Sequence, residues 1–174
     1  ELSFHETLLG GFAWGQVDPR TGALEGKEAG LMFGFDGTIV MSDLDRFIAD
    51  PNHDAAFGGS YLGNLFQARG LPEPVLISGV FKFMAPGFGA PRLMVHEHTL
   101  RSGSEIYTLR GTKYLDDDPL AFDALGDLTT LYTTLEDASG SVVAAGVMHF
   151  PLVKLPELVA SFRSSGDDNP LVAR

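Results

Sequence analysis

Cysteine is absent from this chain of 174 residues. That excludes a disulfide framework, a thiolate metal site and a cysteine nucleophile together. Basic residues are scarce, 12 Lys and Arg against 23 Asp and Glu, for a formal net charge of −11. An acidic chain with no basic run repels phosphate backbones, so no nucleic-acid partner is expected. No stretch approaches the roughly 18 consecutive apolar residues of a membrane span. The chain opens on Glu1 without the basic region and apolar core of a signal peptide. A mature form, a trimmed chain and a piece of a longer polypeptide all fit that start, and the compartment is not legible. Catalytic signatures are missing too. Gly58-Gly59-Ser60-Tyr61 lacks the spacing of a nucleophile elbow, and no Gly-Lys-Ser/Thr occurs for a phosphate loop. Gly87-Phe88-Gly89-Ala90-Pro91-Arg92 starts like a dinucleotide fingerprint, but its Pro and Arg make it a turn. Asp116-Asp117-Asp118 before Pro119 lacks the Gly and bidentate Glu of a calcium loop and reads as a solvated acidic loop.

What the chain does have is 44% apolar residues, 21 Gly and 10 Pro. The Gly and Pro cut short apolar runs at regular spacing, the pattern of an all-β sandwich or barrel. Strands are expected at 2–14, 29–41, 55–66, 74–85, 92–101, 104–115, 127–137 and 141–150. Ser102-Gly103 and Ser139-Gly140 mark two hairpins. Two short helices are expected. One is capped by Asp43, carries Leu44, Phe47 and Ile48, and stops at Pro51. The other carries Leu155, Leu158, Val159 and Phe162, with Pro156 in its first turn. The expected fold is an antiparallel β-barrel of about eight strands, of the lipocalin or allene-oxide-cyclase kind. It forms one domain over residues 1–165, with a flexible tail over 166–174.

Side chains alternate across a strand. In the first strand Leu2, Phe4, Glu6, Leu8, Phe12 and Trp14 share a face, so Glu6 is the one carboxylate on an aromatic stripe. Leu31, Phe33, Phe35, Ile39 and Met41 share another, as do Val75, Ile77, Phe81 and Phe83. A two-residue loop at Ser102-Gly103 sets Arg101 opposite Ser104, His98 opposite Tyr107 and His96 opposite Leu109. Met94, His96, His98, Leu100, Tyr107, Leu109 and Lys113 then face one way, and Glu97, Thr99, Thr108, Arg110 and Thr112 face the other. A buried carboxylate and a buried ammonium are costly unless paired, so Glu6 and Lys113 are expected partners. They are either a satisfied ion pair or the polar end of an apolar ligand site. His96 and His98 have no third ligand in evident spacing, so no metal is expected.

Several stretches resemble an accessory β domain of cholesterol-oxidase-like flavoproteins in the glucose-methanol-choline oxidoreductase group. They are Phe4-His5-Glu6-Thr7-Leu8-Leu9-Gly10-Gly11, Asp43-Leu44-Asp45-Arg46-Phe47 through Pro51-Asn52-His53, and Gly79-Val80-Phe81. Leu109-Arg110-Gly111-Thr112-Lys113, Asp127-Leu128-Thr129-Thr130-Leu131-Tyr132 and Ala160-Ser161-Phe162-Arg163 continue the likeness over nearly the whole chain. Leu8 stands where that pattern has Met. Glu6, Gly10, Lys113, Asp127 and Thr130 sit on its positions. The chain has no Gly-rich flavin fingerprint, so oxidase chemistry is not implied. The resemblance implies a module linked to sterol or lipid oxidation, with a flavoprotein oxidoreductase as partner.

Three functions fit these residues. The first is binding of a hydrophobic small molecule such as a sterol or lipid, without a cofactor, in a cavity lined by His96, His98, Tyr107, Phe33, Phe35, Phe81, Phe83 and Trp14. The second is a cofactor-free isomerase or cyclase, with Glu6 and Lys113 catalytic and His96 or Tyr107 assisting. The third is a structural or interaction domain whose barrel is filled by its own side chains. Oligomeric state is not legible.

Overall fold

The computed structural model describes residues 1–51, 53–85, 92–115 and 129–164. Eight long strands appear in chain order: β1 (Leu2–Trp14), β2 (Met32–Met41), β3 (Asp54–Gly63), β4 (Val75–Ala85), β5 (Arg92–Ser102), β6 (Glu105–Leu115), β7 (Thr130–Glu136) and β8 (Val142–His149). Each pairs antiparallel with the next, and β1 pairs with both β2 and β8. The sheet is therefore a closed eight-stranded barrel, and closure removes the free edges that eight strands would otherwise expose. A two-residue strand, β9 (Arg163–Ser164), adds to β1 at Leu2 and Ser3.

Helices α1 (Pro19–Ala29), α2 (Leu44–Ala49) and α3 (Leu155–Ser161) complement the strands. α2 and α3 are the two expected helices, and the Asp43 side chain caps α2 by accepting from Arg46 N at 3.0 Å. α1 is an addition, and it shortens the expected second strand, which starts at Met32 rather than at residue 29. Asp18 caps it through Thr21 N and Thr21 Oγ1, both at 2.8 Å, with Pro19 in the first turn and Gly30 left-handed at the end. Its buried residues are Gly22 and Gly26, and a Cβ on Gly26 would run into the Phe12 backbone. The helix thus lies with bare backbone against β1 and β8, and an apolar stripe never appears in its sequence.

Two hairpins differ from expectation. The tight turn is Gly103-Ser104, with Ser102 opposite Glu105, so His98 faces Leu109 and His96 faces Gly111. Gly103 has φ +60°, which suits the glycine-first hairpin turn. Moving the loop by one residue changes every partner by two, so the inward face is unchanged. The β7–β8 connection is a five-residue loop, not a two-residue turn. There Asp137 N donates to Ser141 O, and the Asp137 carboxylate takes Ser139 N, Ser139 Oγ and Ser141 N.

The fourth strand also departs. A register shift between Leu76 and Ser78 leaves Ile77 without a partner on β5. Such a bulge reverses the alternation. Val75 and Ile77 are accordingly 58% and 54% exposed, while Leu76 and Phe81 turn inward. Residues 52, 86–91, 116–128 and 165–174 lie outside the described residues. These include the expected turn at 87–91, the acidic loop at 116–119, Asp127 and the 166–174 tail.

Candidate functional site

Strand direction alternates around an up-and-down barrel, so its two ends collect different connections. One end receives the β5–β6 hairpin, the β7–β8 loop and the short 3₁₀ turn Gln67–Arg69. This end is filled. Trp14 packs edge-on against Phe66 and Tyr107, Phe33 against Phe66, and Trp14 Nε1 donates to Leu65 O at 2.8 Å. The Arg69 guanidinium lies 4.4 Å over the Trp14 ring and closes the plug.

The other end receives α2 after β2 and α3 after β8. Between these helices and the barrel lies a cavity of about 440 Å³. Leu2, Phe4, Met41, Phe81, Phe83, Met94 and Phe150 form its barrel wall. Leu44, Phe47 and Ile48 from α2, with Leu155, Leu158 and Phe162 from α3 and the residue after it, cover its mouth. Phe162 stacks on Phe4 with centroids 5.1 Å apart. The titratable side chains among the described lining are Glu6 and Lys113.

Those two residues meet on the cavity floor. Lys113 Nζ donates to Glu6 Oε2 at 3.0 Å, and each residue is only 4% exposed. His96 Nε2 lies 2.9 Å from Glu6 Oε1. The two atoms are close but out of line, and neither has an aligned hydrogen-bond partner among the described residues. Behind them the polar groups continue as a row. His96 Nδ1 is 3.4 Å from His98 Nε2, and His98 Nδ1 is 3.4 Å from Tyr61 Oη. Both contacts are long for hydrogen bonds. The row is embedded in aromatics, with the His98 ring stacked on Phe57 at 4.0 Å. Its strand partners are glycines, Gly37 opposite Glu6, Gly79 opposite His98 and Gly111 opposite His96, and the room they leave is taken by Phe57 at the first two and Leu131 at the third.

Charge states follow from these surroundings. Burial pushes the Glu6 carboxyl up, but the Lys113 ammonium and His96 outweigh it and hold the carboxyl well below the usual carboxylate range. Burial lowers His96, and Lys113 adds to that against the opposing pull of Glu6. Burial, with His96 beside it, takes His98 down to about 3. Burial raises the Tyr61 phenol. At neutral pH Glu6 is therefore a carboxylate and both imidazoles are neutral.

The sequence-expected residues divide by depth. Glu6, Lys113, Phe81 and Phe83 line the cavity. His96 touches Glu6 from below, and Phe35 and His98 lie one layer deeper. Phe33, Trp14 and Tyr107 do not belong to this site. They fill the opposite end, where the Tyr107 hydroxyl donates to Glu105 at 2.5 Å and burial raises its pKa to about 12. The helix residues covering the mouth were missed as lining, although their apolar spacing was visible. Strand parity was the available signal, because β2–β3 and the segment after β8 must leave the barrel at the same end. Among the described residues no group of three or more side chains could hold a metal. No helix among them is long and apolar enough to cross a membrane.

The class these features define is a closed antiparallel barrel with an apolar cavity at one end and a buried ion pair on its floor. No protein-family model, curated protein or solved structure matches the chain.

Proposed function

We propose that this chain binds a hydrophobic small molecule in the cavity under α2 and α3. The observation that carries this reading is a void of about 440 Å³ whose described lining is apolar but for Thr129 and the Glu6–Lys113 ion pair on its floor. Ligand sites of small molecules commonly have volumes of about 300–1,000 Å³ and a few placed polar groups. A barrel serving only as a filled structural body would close this end as it closes the other. Catalysis by Glu6 as a general base is less well supported, because a carboxylate held so far below neutrality takes up a proton poorly. The resemblance to the accessory domain of cholesterol-oxidase-like flavoproteins extends the reading to a role beside a lipid- or sterol-oxidising flavoprotein. Native mass spectrometry of freshly purified protein tests the binding. A co-purified lipophile, lost on organic extraction and restored by adding it back, is the expected result. An apo mass together with no saturable uptake of alkyl probes would refute it.

A further inference from the structure

Resting on that binding reading, we propose that the cavity selects an uncharged ligand whose single polar end is a hydroxyl, seated on the Glu6–Lys113 pair and flanked by apolar walls. The argument is one of charge and of spare hydrogen-bonding capacity. Glu6 and Lys113 cancel, and no other titratable side chain among the described residues lines the cavity. A ligand carboxylate or ammonium would therefore be taken out of water against a floor with no net countercharge, which is costly. A purely hydrocarbon ligand would leave the floor's remaining capacity unused. An ammonium has three donors. Lys113 spends one on Glu6 Oε2, and no other partner for its Nζ stands among the described residues. Glu6 keeps acceptor capacity as well, since each carboxylate oxygen can accept twice, and among the described residues Oε1 has only His96 Nε2 beside it at 2.9 Å and Oε2 only Lys113. A buried ammonium with free N–H groups beside a carboxylate with free lone pairs fits a group that both accepts and donates. A hydroxyl does both from one atom: it accepts from Lys113 Nζ and donates to Glu6. An ether or ester oxygen would satisfy only the lysine.

Calorimetric titration of the intact chain with dodecan-1-ol, 1-methoxydodecane, dodecanoate and dodecylammonium, each below its aggregation threshold, tests this. The alcohol should bind at least about tenfold more tightly than either charged compound, and severalfold more tightly than the ether. Glu6→Gln leaves the lysine uncompensated, so its order should invert, with dodecanoate above dodecan-1-ol. The double variant Glu6→Leu, Lys113→Met replaces the pair with apolar groups of similar size, a change that folds commonly tolerate. It should bind all the uncharged chains with no preference for the hydroxyl. Dodecanoate binding the native chain as tightly as the alcohol overturns the hydroxyl assignment and leaves the cavity's binding role standing. Failure of all four compounds to bind overturns both.

Discussion

The two ends of one barrel are built from the same alternation and reach opposite results. At the hairpin end Trp14, Phe33, Phe66 and Tyr107 interlock, and Leu65 backs them from the loop after β3. At the helix end Leu2, Phe4, Phe83 and Met94 are only a wall, and two short helices supply the roof. The difference lies in what the connections bring. At the hairpin end the strands supply Trp14, Phe33 and Tyr107, the loop after β3 adds Leu65 and Phe66, and the helical connection α1 lies against the backbones of β1 and β8. At the other end α2 and α3 span the opening and leave a void beneath them. Position in the barrel thus decides whether an aromatic residue is packing or lining, and composition does not.

Two substitutions of similar size should separate the ends most sharply. Phe66→Ala removes a fully buried ring from the plug and should cost about 3–5 kcal/mol of stability while leaving ligand affinity unchanged. Glu6→Ala should also cost roughly 3–5 kcal/mol, because Lys113 becomes a buried, uncompensated charge, and here ligand binding should be lost as well. Glu6→Gln should cost less, since an amide oxygen still accepts from the ammonium. Denaturant titration with a parallel binding assay reads both variants. If Phe66→Ala weakened binding as much as stability, the two ends would not be independent.

Acidification should weaken the polar layer, together with the hydrogen-bonded carboxylates Asp18, Asp36 and Asp137, which are also held below their usual range. An unfolded histidine takes a proton near pH 6.5, whereas folded His98 resists to about 3. The unfolded chain then binds more protons, so stability falls as pH drops through that window. Each such histidine contributes up to about 1.4 kcal/mol per pH unit. Glu6 is shifted the same way in pKa, and its contribution, present above the unfolded carboxyl value of about 4.3, disappears as pH falls further. Unfolding free energies measured from about pH 7 to pH 4 should decline, and His98→Gln should remove one proton's worth of slope. A flat profile would contradict the neutral assignment of the imidazole.

The smallest expected change in stability is at the roof. Phe162 is 47% exposed and rests on Phe4, so Phe162→Ala should cost no more than about 1 kcal/mol. It should nevertheless weaken ligand binding severalfold, and equal loss of binding from an exposed site away from the cavity, such as Val75→Ala, would dissolve the distinction.

Much of this was legible because side-chain alternation survives errors of register. The hairpin at Gly103 was placed one residue early, yet His96, His98, Tyr107 and Lys113 still shared the inward face, since the partners changed by an even number. The fourth strand shows the limit. One unpaired residue at Ile77 is an odd shift, and it put Val75 and Ile77 on the wrong side. Helix α1 escaped for a different reason. Its buried face is Gly22 and Gly26, which leave no hydrophobic period to find, although Asp18-Pro19 and Gly30 marked both of its ends. Trp14, Phe33 and Tyr107 lie at the other end from the cavity, because their inward direction says nothing about depth along the axis. Glu6 and Lys113 were found because charges on apolar faces need each other.

The pairing of β1 with β8 also has a kinetic consequence. Glu6 and Lys113 are 107 positions apart, and the seam that completes the ring joins Leu9 to His149. Of the eight barrel strands β1 is made first and its seam partner β8 last. Until then β1 and the growing sheet both carry unpaired edges, which invite association with other chains. Contacts this distant in sequence also slow the search for the native topology. The hairpin of β5 and β6 forms locally and carries Lys113 with it, so the lysine must wait in water for a carboxylate at the far end of the chain. Refolding should therefore be slow, and the floor of the cavity should be its last part to assemble, arriving with the closing of the ring.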